Sequence, residues 1–131
     1  MTASTISIVK TLQLELPYPQ GSGNHSVRHG GGRHYLTPEA KAYRAAILDI
    51  VNPRGKRVAL TGPLKVDYLF APPDLRVRDS CNALKVFKDA LTLAGFWVDD
   101  SNRVLIDEHV RWTDPVPGGA IFITVSPFEK E

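Results

Sequence analysis

The residues Arg76 to Asp100, RVRDSCNALKVFKDALTLAGFWVDD, carry the pattern that decides the fold. Leu84, Phe87, Leu91 and Ala94 recur at helical spacing, and Ala83 and Ala90 widen the same apolar face. That spacing predicts a helix from about Ser80 to Ala94, with Gly95 as its C-terminal cap. Asp79 stands at the entrance, where a carboxylate suits both the cap position and the positive end of the helix dipole. Cys81, Lys85 and Asp89 fall at i, i+4 and i+8, on a face away from the apolar one. Gly95 then turns the chain, and Phe96-Trp97-Val98 is expected to carry Asp99 and Asp100 toward the start of the helix.

Outward from this segment the chain alternates between strands and turns. Leu12, Leu14 and Leu16 alternate with Gln13 and Glu15, a half-buried strand ended by Pro17 and Pro19. Leu64, Val66, Tyr68 and Phe70 form a second alternating run, stopped by Pro72-Pro73. Val104 to Trp112 and Ala120 to Val125 read as two more strands around a turn at Pro115–Gly119. Thr37-Pro38-Glu39 opens another helix, with Thr37 as N-cap and Ala40, Tyr43, Ile47 and Ile50 as its apolar face. Between these elements, residues 20–34 carry five glycines and several basic residues without periodicity, which predicts a long flexible loop. Asn52 to Arg57 is a second basic loop. The expected architecture is α+β: one domain over residues 1–131, with a small mixed or antiparallel sheet and two main helices.

Composition narrows the function classes. At 43% hydrophobic and 23% charged residues, the 131-residue chain fits a globular domain and not a disordered tail. Cys81 is the only cysteine, so no intramolecular disulfide is possible and a reducing compartment is expected. No apolar run approaches the length of a membrane span, so a cytoplasmic protein with no membrane contact is expected. The net charge of +2 is unevenly spread. Arg28, Arg33, Lys41, Arg44, Arg54, Lys56 and Arg57 crowd the N-terminal half, while acids dominate after Gly95. A basic region beside an acidic one suits a protein that grips phosphates with one part and holds a cation with the other.

A phosphodiester repels its nucleophile, and converging carboxylates overcome this by holding Mg²⁺ or Mn²⁺ against a phosphate oxygen and a water. A nearby lysine stabilises the charge that develops. Taken singly, these residues have ordinary explanations: Asp79 as a cap, Lys85 and Asp89 as a solvated ion pair, Asp99-Asp100 as turn chemistry.

Taken together, they resemble the RusA family of Holliday-junction resolvases. The family pattern is Asp-x-Asp-Asn, a lysine, Asp-Ala-Leu on the same helix, then Gly, an aromatic run and Asp-Asp. This chain has Asp79-Ser80-Cys81-Asn82, Lys85, Asp89-Ala90-Leu91, Gly95-Phe96-Trp97 and Asp99-Asp100. Leu16-Pro17-Tyr18-Pro19, Asn24, Thr37 and Ala42-Tyr43-Arg44 also look like the family, so the resemblance spans roughly Leu12 to Val125. It implies a homodimeric, Mg²⁺-dependent endonuclease, with Mn²⁺ as a possible substitute, that nicks four-way DNA junctions in pairs. Asp79, Lys85 and Asp100 match its catalytic residues, and Asp79 and Asp100 its metal ligands. Asn82 matches the motif asparagine. Asn24, Arg28, Arg33, Arg44, Lys56, Arg57, Arg76, Arg78 and Asn82 are the expected DNA contacts. The chain departs from the pattern at Cys81, where the family has an aspartate, and a thiol is a poor ligand for a hard cation. Three readings follow: another carboxylate, Asp99 or Asp89, completes the site; cleavage is weak; or the protein binds junctions without cutting them.

Overall fold

A computed structural model describes residues 6–7, 11–19, 27–30, 33–53, 59–78 and 80–129, with 6–7, 27–30, 33–36, 80 and 81 as backbone only. Helix α1 (Pro38–Val51) begins as expected: the Thr37 hydroxyl accepts the Ala40 N–H at 3.2 Å. Its buried residues are Ala40, Tyr43, Ile47 and Val51. Ile50, expected on that face, is 45% exposed. Past Ile47 the stripe continues four residues on, at Val51, because 3.6 residues complete a turn. Helix α2 (Ser80–Leu93) buries Ala83, Phe87, Ala90 and Leu91. It ends in a Schellman motif: Gly95 N–H donates to Thr92 O and Phe96 N–H to Leu91 O, each at 3.0 Å. Gly95 adopts φ 78°, where a side chain would be strained.

The main sheet has the order β2-β8-β6-β7. Its strands are β2 (Leu12–Leu16), β6 (Leu64–Ala71), β7 (Leu105–Trp112) and β8 (Ala120–Pro127). β8 lies antiparallel to both β2 and β6, whereas β6 and β7 are parallel. A parallel neighbour needs a crossover, and α2 provides it, so β6-α2-β7 is a βαβ unit in an otherwise antiparallel sheet. Register aligns Val66, Tyr68 and Phe70 with Glu108, Val110 and Trp112 on one side, and with Val125, Ile123 and Ile121 on the other. This face packs into a core with Tyr43, Ile47, Phe87, Leu91, Phe96 and Trp97. Removing any one of the fully buried side chains from water contributes roughly 1.5–3 kcal/mol.

Two short pairings complete the fold. β1 (Ile6–Ser7) lies parallel to β5 (Leu60–Thr61). β3 (Val27–Gly30) and β4 (Arg33–Leu36) form an antiparallel hairpin inside what was expected to be a flexible loop. Gly30 pairs with Arg33 across the hairpin. Residues 20–26 and 31–32 lie outside the described residues, as do 54–58 of the second basic loop. Among the described residues no helix is long and apolar enough to cross a membrane.

Candidate active site

Asp79 lies outside the described residues, and Cys81 is described as backbone within the first turn of α2. Further along the helix, Lys85 is exposed and Asn82 and Asp89 are half-buried. Among the described residues neither Lys85 nor Asp89 has an ion pair, so the expected i,i+4 bridge between them does not form.

The Asp99-Asp100 pair divides its labour. Asp99 Oδ1 accepts the Ser101 N–H at 2.7 Å and caps the turn into β7. Hydrogen bonds from Ser101 side chain and backbone hold its carboxyl below the ordinary carboxylate value, helped by the charge of Arg103. Asp100 is half-buried and has no hydrogen bond or ion pair among the described residues. Its charge reaches the Tyr68 hydroxyl, which is pushed above the ordinary tyrosine range first by burial, then by Glu108, then by Asp100.

That hydroxyl belongs to a cluster the sequence did not advertise. Tyr68 donates to Glu108 Oε2 at 2.5 Å, and Lys88 Nζ lies 3.0 Å from each Glu108 oxygen. The three residues come from β6, β7 and α2, and the Lys88 and Glu108 side chains are only 18% and 26% exposed. Here the βαβ unit is fastened by a charge-assisted network on the helix-facing side of the sheet. Among the described residues no group of three or more His, Cys, Asp or Glu side chains is arranged to hold a metal ion.

At the carboxyl ends of β6 and β7 the loop before α2 is clasped from within. Asp74 accepts the Arg76 N–H at 2.9 Å and pairs with the Arg76 and Arg78 guanidinium groups at 3.2 and 2.9 Å. Arg78 also donates to the carbonyls of Asp74 and Arg76, and lies 5.9 Å from the Tyr18 ring centroid. These donors hold the Asp74 carboxyl at about 2. Arg78, expected as a DNA contact, helps shape the loop through Nη1, with its side chain 19% exposed. The neighbouring Tyr18 segment is tied down by the Tyr43 hydroxyl, which donates to Pro17 O at 2.7 Å. Between this loop and the end of β7 lies an open cleft of about 300 Å³, lined in part by Arg76, Arg78 and Trp112.

The other expected DNA contacts are spread over the N-terminal half. Arg28 and Arg33 fall on the β3–β4 hairpin, described as backbone, and Arg44 is half-exposed on α1. Asn24, Lys56 and Arg57 lie outside the described residues.

A mixed four-stranded sheet with a βαβ unit and two packed helices defines a small α+β protein. The family model described as Endodeoxyribonuclease RusA matches residues 17–125, and the chain belongs to that family. It is 33% identical over 123 residues to crossover junction endodeoxyribonucleases of Enterobacteria phage 82 and Escherichia coli K12, covering 94% of this chain and all of each relative. The same identity and coverage hold for the crossover junction endodeoxyribonuclease of Shigella sonnei.

Proposed function

We propose that this chain is a divalent-metal-dependent endonuclease that resolves four-way DNA junctions by paired nicks during recombination and repair. It acts as a homodimer, since two opposing strands require two sites and each chain carries one set of catalytic residues. The observation that supports this best is the Asp100 carboxylate, left without a partner among the described residues in a chain that spans the whole length of junction-cleaving relatives. A half-exposed, uncommitted carboxylate has the hard-oxygen chemistry that Mg²⁺ or Mn²⁺ takes. Asp79 and Asp100 would hold the ion, with Asp99 supplying a further oxygen beside the one spent on Ser101. When bound, the metal supplies Lewis acidity and a more acidic water.

The chain's own residues do the rest. Lys85, exposed on α2, neutralises charge on the scissile phosphate, and Asn82 orients the backbone beside it. Arg28, Arg33, Arg44, Lys56, Arg57 and Arg76 hold phosphates, and an arginine or lysine that contacts only phosphate positions DNA without reading its sequence. The place of action is the DNA of a bacterial or phage-infected cytoplasm.

A second reading rests on Cys81, where the family has an aspartate: the protein binds junctions and cuts them weakly or not at all. Purified protein incubated with a synthetic four-way junction, with and without Mg²⁺ or Mn²⁺, separates the two. Metal-dependent paired nicks support the nuclease. Tight binding with no nick under either ion supports the binding module, and failure to prefer junctions over duplex refutes both.

A further inference from the structure

Leu75 is 87% exposed and Val77 is 99% exposed, the two most exposed large apolar side chains among the described residues. They sit on the loop that the Asp74 clasp stiffens, with the guanidinium of Arg76, 80% exposed, between them. Scattered apolar residues on a surface need no explanation. Two branched aliphatic side chains held out on a pinned loop, with a cation between them, form a more specific arrangement. The loop leads directly into Asp79. Beside it lies the 300 Å³ cleft, where Trp112, 40% exposed, packs edge-on against Phe70 at 5.1 Å and offers part of its ring to the opening.

We propose that the Asp74–Arg78 loop is a wedge: Leu75 and Val77 enter the base stack at a DNA branch point, Arg76 holds the adjacent phosphate, and the Trp112-lined cleft receives the unstacked base. The proposal rests on the junction-binding reading and adds how the branch is opened. Apolar side chains inserted between base steps unstack them, at a cost that is lowest where stacking is already interrupted. A branch point is such a place, and linear duplex is not. The wedge therefore selects branched DNA without reading bases. Stiffness matters, because a floppy loop would fold its apolar tips back instead of pressing them into a stack. Asp74 supplies that stiffness through four contacts: the Arg76 N–H, both guanidinium groups, and its own carbonyl to Arg78. The cation at Arg76 makes the surface complementary to a nucleic acid in a way that a purely apolar partner face would not require.

The test places 2-aminopurine beside the branch point of a four-way junction and follows its fluorescence on binding without divalent metal. Wild-type protein is expected to raise the emission, since the base leaves its stack. Leu75→Ser/Val77→Ser is expected to bind with a similar salt dependence, to leave emission at the level of free junction, and to slow metal-dependent cleavage by about tenfold. Both side chains are exposed, so the double variant should fold normally, and circular dichroism checks this. Equal fluorescence rises for wild type and variant overturn the wedge. So does junction binding by wild-type protein with no rise at all, a result that leaves the resolvase reading standing. Loss of self-association by the variant without DNA would also overturn it, showing the surface to be a contact between copies. If wild-type protein binds no junction, the function reading itself fails and the wedge falls with it.

Discussion

Lys88→Met should destabilise the fold by an amount the geometry sets. Lys88 Nζ stands 3.0 Å from both oxygens of Glu108, which also accepts the Tyr68 hydroxyl. Two unit charges at that distance attract by about 5 kcal/mol at an effective dielectric constant near 20. Much of this is offset by the cost of taking both groups partly out of water. Side-chain exposures of 18% and 26% place the pair between solvated ion pairs, worth up to about 1 kcal/mol, and buried pairs, whose rupture costs roughly 3–5 kcal/mol. The expected loss on removing Lys88 alone is therefore about 2–3 kcal/mol. Most of it is the penalty for leaving Glu108 half-buried with only Tyr68 for company. Lys88→Met/Glu108→Leu should be less destabilised than the sum of its single variants, because neither charge is then stranded. Urea unfolding followed by circular dichroism measures this: the midpoint should fall while the slope stays constant. A loss below about 0.5 kcal/mol for Lys88→Met, or strict additivity in the double variant, would refute the claim that this cluster fastens the βαβ unit.

Asp79→Asn and Asp100→Asn should each abolish junction nicking while leaving junction affinity nearly unchanged, checked by gel cleavage and mobility-shift assays on the same protein. Cys81→Asp should raise cleavage and lower the Mg²⁺ concentration it needs, and Mn²⁺ should outperform Mg²⁺ for the wild type; activity unchanged in Cys81→Asp but lost in Asp99→Asn would show that another carboxylate already serves. Gly62→Ala should destabilise by roughly 1–3 kcal/mol in thermal or urea unfolding, because its methyl would lie 2.6 Å from the backbone of Val104, whose carbonyl accepts the Leu64 N–H. The Asp74 carboxyl should titrate at about 2 in place of 3.8. Since the folded value is the lower one, its clasp is fully formed above pH 3.8 and is lost as pH falls through about 2, which carboxyl chemical shifts read directly.

The sequence by itself determined the local elements. Thr37-Pro38 and Gly95 mark helix ends through hydrogen bonds made within a few residues, and the Leu64–Phe70 alternation encodes which side chains enter the core. The motif residues from Asp79 to Asp100 were sufficient to point to the family, because they lie close together along the chain. Tertiary structure decided what local periodicity does not encode: which strand lies beside which. An apolar stripe says that a strand is buried, and is silent on whether its neighbour runs parallel, as β7 does beside β6. The Tyr68–Glu108–Lys88 cluster joins residues 20 to 40 positions apart, so no window of sequence contains it. The role of Arg78 was hidden for a related reason. A basic residue before an acidic motif reads only as a phosphate contact, and the fold adds that its Nη1 braces the loop against Asp74 and two backbone carbonyls. The fold likewise leaves Leu75 and Val77 exposed, on a loop whose hydrogen bonds and ion pairs converge on Asp74, a polar anchoring that neither apolar residue reveals in the sequence.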